Sequence, residues 1–269
     1  VRTAISEKAD IIFSGAGLPL DLPSYLREDS TTKLVPIVSS ARAARVICEK
    51  WKANYDYLPD ALGVEGPKAG GHLGYKREQI DNADYSLERI VPEVVSEVGR
   101  YEELYGRRIP VIAAGGLYTG EDIYRIMRLG ATGVQLGSKF VTTEECDASP
   151  TFKQTYIDSS KDDIEIIASP VGMPGRAIGG EFIRRVKEGL MRPKKCPFHC
   201  IKTCDYTKSP YCIIMALYNA AKGNLSKGYA FCGANAYMSK KITSVRETIE
   251  SLKSEFAAAC RRNGQTAVL

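Results

Sequence analysis

Histidine is nearly absent from this chain: of 269 residues, only His72 and His199 carry an imidazole. Histidine is the side chain whose unperturbed pKa suits acid–base work near neutral pH, so that chemistry narrows to two positions. Long apolar runs are missing as well. No stretch approaches the roughly 20 residues that a bilayer-spanning helix needs, which excludes a helical membrane anchor as the expectation. The opening segment, VRTAISEKAD, reads as the end of an amphipathic helix and lacks the apolar core of a secretory signal. A concentrated basic stripe is also lacking. Lys and Arg number 37 against 32 Asp and Glu, for a net charge of +5, and both signs are mixed along the chain. The short cluster Arg192, Lys194 and Lys195 reads as a solvated connector, so nucleic acid is not an expected partner. A P-loop is missing, as is a G-x-G-x-x-G after a strand. Neither a C-x-x-C pair, an internal repeat nor a low-complexity tract occurs.

What is present is a large globular chain. At 44% hydrophobic it can bury a sizeable core, as one α/β domain or one domain with an appendage. It begins without an initiator Met and mid-fold, which leads us to expect a piece of a longer protein. Eight cysteines without a secretory signal argue for free thiols in a reducing, cytoplasmic setting.

Five short apolar runs, at 10–17, 33–40, 61–66, 110–116 and 133–140, have the near-continuous character of parallel strands buried on both faces. Helical patterns separate them. Residues 41–52 place Ala43, Val46, Ile47 and Trp51 on one side. Residues 87–105 carry a stripe of Ile90, Val94, Val98, Tyr101 and Leu104. A third helix opens at Thr119, with Asp122 in the capping-box position, and ends at Gly130. Repeated strand–helix units predict a parallel sheet or barrel. Each strand ends in Gly, Ser or Ala, and α/β folds bind ligands beyond the carboxyl ends of their strands. After about Glu144 the pattern changes to a rigid loop at 169–176 and helices at 181–190, 211–222 and 245–260, read as a helical C-terminal extension. Domain limits of 1–145 and 146–269 follow.

Three features carry chemistry. His72 stands in Val64-Glu65-Gly66-Pro67-Lys68-Ala69-Gly70-Gly71-His72-Leu73-Gly74, where glycines let the backbone turn sharply and a ligand approach closely; the plainer alternative is an incidental surface histidine. Gly115 with Gly116, and Gly137 with Ser138, form two glycine sites at strand ends one helix apart. Backbone N–H groups at such turns make an anion site, though ligand-free tight turns use the same residues. The third feature is the series Cys196, Cys200, Cys204 and Cys212.

These segments, together with Ser14-Gly15-Ala16-Gly17-Leu18-Pro19, Pro36-Ile37-Val38-Ser39-Ser40, Ile112-Ala113-Ala114-Gly115-Gly116 and Val134-Gln135-Leu136-Gly137-Ser138-Lys139-Phe140, occur in an order and spacing that resembles the nitronate monooxygenase family, formerly 2-nitropropane dioxygenases. The likeness runs from about Asp10 to Arg176. The flavin-dependent enoyl-acyl-carrier-protein reductase shares the same fold family. The resemblance implies a (β/α)8 TIM barrel that binds FMN, of which strands four to eight are visible here and the first three would lie upstream of Val1. An open five-stranded sheet would then expose an unpaired edge and apolar surface.

By the same resemblance His72 falls at the family's active-site histidine, at the end of the sixth strand. Glu65 falls at a flavin-contacting position that is often Gln in relatives. Ala69, Gly70 and Gly71 would pass close to the isoalloxazine and its ribityl chain. Gly115, Gly116, Gly137 and Ser138 would cradle the phosphate, Gln135 would face the barrel mouth, and Ser39 is a further candidate near the ring. The 172–176 loop resembles a segment that packs over the active site; relatives continue with an Asn where Gly179 and Gly180 stand here. The implied activity is oxidation of alkyl nitronates or propionate-3-nitronate with molecular oxygen to a carbonyl compound and nitrite. The alternatives are an NAD(P)H-dependent enoyl reductase and a barrel piece without catalysis. The expected partner is a small-molecule substrate, with no nucleic acid and no membrane, and a homodimer is the expected assembly.

The cysteine spacing, C-x3-C-x3-C-x7-C, leaves two readings open. Four thiolates, with His199 nearby, suit zinc or an iron–sulfur cluster. Alternatively, spacing of four sets three cysteines on one helical face as small buried apolar residues or redox-active thiols. The resemblance assigns no residue to a metal.

Overall fold

The computed structural model describes residues 1–200 and 204–264; part of the cysteine segment and the last five residues lie outside them. In chain order the strands are β1 (Ile11–Ser14), β2 (Lys33–Val38), β3 (Leu62–Glu65), β4 (Gly71–His72), β5 (Val111–Ala114), β6 (Gly133–Gln135), β7 (Ile164–Ala168) and β8 (Pro174–Ile178). The α-helices are α1 (Arg2–Ser6), α2 (Ala41–Tyr55), α3 (Leu87–Tyr105), α4 (Gly120–Arg128), α5 (Ser138–Val141), α6 (Pro150–Asp158), α7 (Glu181–Lys187), α8 (Ile213–Ala221) and α9 (Val245–Arg262). The chain divides into two compact units. One comprises 1–67, 78–117 and 121–135; the other comprises 68–77, 118–120 and 136–269.

The first unit is built on the five expected strands. They form one sheet in the order β1-β2-β3-β5-β6, every pair parallel. Helical crossovers supply the long connections that parallel pairing requires. Helix α2 is capped by Ser40, whose hydroxyl accepts from the Ala43 N–H at 3.2 Å, and buries Ala44, Ile47, Cys48 and Trp51, a single stripe at helical spacing. Trp51 also donates Nε1–H to the Pro19 carbonyl at 3.0 Å. Helix α3 buries Leu87, Ile90, Val91, Val94 and Val98. Its expected stripe stops early: Leu104 is 70% exposed. Burial on both faces holds for β2 and β3 but not for β1, where Ile11 and Phe13 are about half exposed. That strand is one edge of the sheet. The strand expected at 133–140 stops at Gln135, and Ser138 already opens α5.

Asp60 pins one end of this unit. Its carboxylate accepts from the Leu34 N–H at 2.8 Å and from Arg107 Nη2 at 2.6 Å, with the Tyr57 hydroxyl as a third donor. A buried carboxylate needs such partners to offset its lost hydration. Burial, reinforced by Asp60, pushes the Tyr57 pKa up to about 12.

The second unit corrects the reading of a purely helical extension. It contains an antiparallel sheet in the order β4-β8-β7. The expected rigid loop at 169–176 is a turn that feeds directly into β8. Successive side chains of a strand point to opposite faces, and β8 follows this rule: Ala177 packs with Phe182, Tyr211 and Tyr229, while Ile178 packs with Tyr156, Ala230 and Cys232. The second edge of β8 is shared. The Leu73 N–H donates to the Pro174 carbonyl, the Cys232 N–H to the Arg176 carbonyl, and the Ile178 N–H to the Ala230 carbonyl, at 2.8–3.0 Å. Helix α9 has a full capping box between Ser244 and Glu247 and is tied by Glu255 Oε2, which accepts from the Gly120 N–H at 2.7 Å. Among the described residues, no helix is long and apolar enough to cross a membrane.

Candidate active site

In the first unit the parallel register gathers five of the sequence-predicted residues at one end of one sheet. Glu65, the last residue of β3, is level with Ala114 of β5, and Ala114 is level with Gln135 of β6. Ser39 follows directly on β2. Gly115 and Gly116 follow β5 with φ of 103° and 78°, consecutive left-handed conformations that only glycine adopts without strain. Just after Glu65, Gly66 donates N–H to the Ala114 carbonyl at 2.9 Å. A Cβ on Gly66 would lie 2.9 Å from Leu87 Cβ, so the chain leaves β3 pressed against α3. Burial alone raises the Glu65 carboxyl from 4.5 to about 7, because desolvation disfavours the charged form. Near neutral pH a large share of it carries a proton. Gln135 is exposed at the strand tip.

In the second unit Ala69, Gly70, Gly71 and His72 lie on one short arm. His72 does not end a strand of the parallel sheet, as the resemblance implied. It stands seven residues beyond Glu65, on the two-residue β4, with His72 opposite Gly175 and Gly71 opposite Arg176. Two close approaches and a tight turn hold the arm. A Cβ on Gly70 would lie 2.6 Å from the Cys232 carbonyl carbon, and one on Gly175 would lie 2.7 Å from Phe231 Cε1. Gly71 turns with φ of 73°. Buried Arg176 donates Nη1–H to the Ala69 carbonyl at 2.6 Å, a charge-assisted bond that fixes the chain just before the glycines.

The His72 ring is half-buried, and burial lowers its pKa from 6.5, which keeps the imidazole neutral at pH 7. Its Nε2 lies 2.7 Å from Ser169 Oγ, and the Phe231 ring meets it edge-on at 5.0 Å between centroids. Ser169 also reaches the Tyr211 hydroxyl, which donates to Tyr229 at 3.1 Å. The histidine thus has one nitrogen held and one ring edge packed, the support that a general base or a hydrogen-bond donor requires.

Ser138 Oγ accepts from the Gly233 N–H at 2.8 Å. A hydroxyl that accepts in this way still has its own proton to donate. Gly137, next to it, is exposed. Arg176 lies in the 172–176 loop that the resemblance sets over the active site, but its bond to Ala69, and Ser169, Phe231 and Gly233 as supports, were not legible in the sequence. Each lies about 95 to 160 positions from its partner, and only β8 pairing brings Ser169 and Arg176 to the His72 arm.

A probable nitronate monooxygenase of Staphylococcus saprophyticus subsp. saprophyticus is 33% identical over 138 residues, covering 51% of this chain and 36% of the relative. One from Staphylococcus aureus strain MSSA476 is 26% identical over 189 residues, 70% of this chain and 49% of the relative. The chain therefore spans between about a third and a half of the curated relatives it matches. Among solved structures, FabK from Thermotoga maritima superposes with a TM-score of 0.72 at 26% identity, over 98% of this chain and 73% of that one. A nitroalkane oxidase from Streptomyces ansochromogenes, at a TM-score of 0.69, 21% identity and coverage of 97% and 67%, shares the fold. The family model described as nitronate monooxygenase matches residues 1–255, and on that match the chain belongs to the nitronate monooxygenase family.

Proposed function

We propose that the protein oxidises nitronates, alkyl nitronates or propionate-3-nitronate, with molecular oxygen and FMN, giving a carbonyl compound and nitrite. The observation that carries this reading is the pair of consecutive left-handed glycines, Gly115 and Gly116, beside the register-matched tips Glu65 and Gln135. Each glycine turn offers amides of the kind that hold a flavin phosphate: Gly115 and Gly116 in the first unit, and Gly137 in the second, where the Ser138 hydroxyl also has its proton to give. Ala69, Gly70 and Gly71 offer the ring a backbone without bulky side chains, and Ser39 adds a hydroxyl at the end of β2. Glu65, protonated in large part near pH 7, can donate a hydrogen bond as the glutamine at this position in relatives would.

FMN, when bound, supplies the redox chemistry, taking electrons from the carbanion-like nitronate and delivering them to oxygen. The protein's own work centres on His72. With Nε2 engaged by Ser169, the neutral ring turns Nδ1 to the substrate. There it takes a proton from the carbon of a neutral nitroalkane, and the resulting imidazolium donates to a nitro oxygen. Phe231 excludes water from one side of the ring.

The same reading takes the five parallel strands as part of a (β/α)8 barrel, with 1–145 in the barrel and 146–269 covering and extending it. It takes the protein as a cytoplasmic homodimer. A second reading is favoured by one observation, the superposition on FabK: reduction of an enoyl thioester with NAD(P)H. The electron donor separates the two. Flavin bleached by a nitronate and inert to NAD(P)H supports the first; rapid bleaching by NAD(P)H with no nitronate turnover supports the second.

A further inference from the structure

We infer, building on the function proposed above, that Tyr211 and Tyr229 are positioning residues that fix which nitrogen of His72 carries the proton. His72 Nε2 lies 2.7 Å from Ser169 Oγ, and that contact suits either direction. Nε2–H can donate to the hydroxyl, or the hydroxyl can donate to a bare Nε2. In a neutral imidazole one nitrogen donates and the other accepts. A proton on Nε2 therefore leaves Nδ1 free to act as a base, and a proton on Nδ1 disables it.

The hydroxyls beyond Ser169 set the direction. Tyr211 donates its O–H to the Tyr229 oxygen at 3.1 Å. Its one proton is thereby committed, so toward Ser169, which it also reaches, Tyr211 accepts. Ser169 then directs its own proton to Tyr211. That leaves Ser169 Oγ as an acceptor, taking the Val171 N–H at 3.4 Å and the Nε2–H of His72. A single direction runs from Nε2–H through Ser169 and Tyr211 to Tyr229, and Nδ1 is left bare.

Packing alone does not call for these hydroxyls. Ser169, Tyr211 and Tyr229 are all buried, and the two rings sit in an apolar cluster with Ile167, Ala177, Phe182 and Ile213. Phe182 meets Tyr211 edge-on at 5.4 Å and stacks on Tyr229 at 5.9 Å. Phenylalanine at either position would fill the same space without burying an oxygen. Burial raises both phenol pKa values, so each tyrosine stays neutral and keeps one proton to direct. Tyr229 also braces the imidazole through Phe231, at 5.0 Å between centroids in each contact.

Removing either phenol oxygen reverses the series. In Tyr229→Phe the Tyr211 proton loses its acceptor and turns to Ser169, and the Ser169 proton turns to Nε2. In Tyr211→Phe the Ser169 proton turns to Nε2 directly. In both, the Nε2 proton is lost to solvent and another is taken up at Nδ1.

The test is heteronuclear NMR of the imidazole nitrogens in protein grown on isotope-labelled histidine, near pH 8, where the lowered pKa keeps His72 neutral. The chain holds two histidines, so His199→Gln identifies the His72 signals. The parent is expected to carry its proton on Nε2. Tyr211→Phe and Tyr229→Phe are expected to move the tautomer ratio toward Nδ1–H by roughly five-fold or more, the worth of one hydrogen bond. Tyr156→Phe, the same change at a buried tyrosine outside the series, leaves the ratio as in the parent. In the two shifted variants kcat on a neutral nitroalkane falls by a similar factor, while turnover of a preformed nitronate, which needs no base, is kept. The spectra require no turnover, so protein inert to nitronates counts against the proposed function while the tautomer still decides the role of the tyrosines. A proton on Nδ1 in the parent, an unmoved ratio in both phenylalanine variants, or an equal shift in Tyr156→Phe overturns that role.

Discussion

His72 Nε2 and Ser169 Oγ stand 2.7 Å apart across 97 positions of sequence, and that contact sets the orientation of the chain's most constrained imidazole. Ser169 is 8% exposed, so its hydroxyl is not readily replaced by water. Ser169→Ala is expected to lower kcat on a nitroalkane by roughly five-fold, the worth of one hydrogen bond of about 1 kcal/mol, with KM and flavin content little changed. Ser169→Thr, which keeps a hydroxyl, is expected to recover most of it. Steady-state kinetics on the three proteins check this; equal losses in the alanine and threonine variants would count against a positioning role.

Removing the imidazole itself is expected to cost more. His72→Ala keeps FMN and loses turnover by about 10²–10⁴-fold, the range of a general acid or base. The loss should be largest with neutral nitroalkanes, which must give up a proton, and smaller with preformed nitronates. Flavin occupancy from the visible spectrum, set against nitrite production, measures both. A colourless variant with normal turnover per bound flavin would assign His72 to cofactor binding.

Glu65 predicts a pH-dependent stability. Its folded pKa, about 7, lies above the ordinary 4.5, so the native state favours the protonated acid. The stabilisation is fully present below about 4.5 and is lost as pH rises through about 7. Glu65→Gln cannot ionise and should escape that loss. Thermal melts of the flavin-free protein are expected to coincide for variant and parent near pH 4.5 and to favour the variant near pH 8. A gap that does not widen with pH would rule the effect out.

Two glycines separate close approach from conformational permission. At Gly70 a Cβ would lie 2.6 Å from the Cys232 carbonyl carbon and 2.7 Å from the Gly233 nitrogen, backbone in both cases. Gly70→Ala should cost about 1–3 kcal/mol. Gly133 has nothing within 4 Å of such a Cβ, and Gly133→Ala should be neutral or stabilising by up to about 1 kcal/mol. Denaturant unfolding of the two variants compares them directly.

Much of the first unit was legible in the sequence because its signals are periodic. The stripe in α2 and α3 and the apolar runs of β2, β3 and β5 each repeat one physical demand along the chain. The second sheet was not. β4 is two residues long, too short to show alternation, and β8 begins Pro174-Gly175, residues that signal a turn when read locally. Gly175 is there because Phe231 lies against it, a reason visible only in three dimensions. For the same cause Ser169 could not be named. Ser138 was found as a phosphate candidate, but its bond to the Gly233 N–H was not.

The central claim is tested most directly by mixing the FMN-loaded protein with propionate-3-nitronate without oxygen, and then admitting air. The account predicts loss of the oxidised flavin absorbance on mixing, its return with oxygen, and nitrite released on turnover, while NAD(P)H leaves the flavin oxidised. Protein that cannot be loaded with FMN, or flavin that nitronates leave untouched, would contradict it.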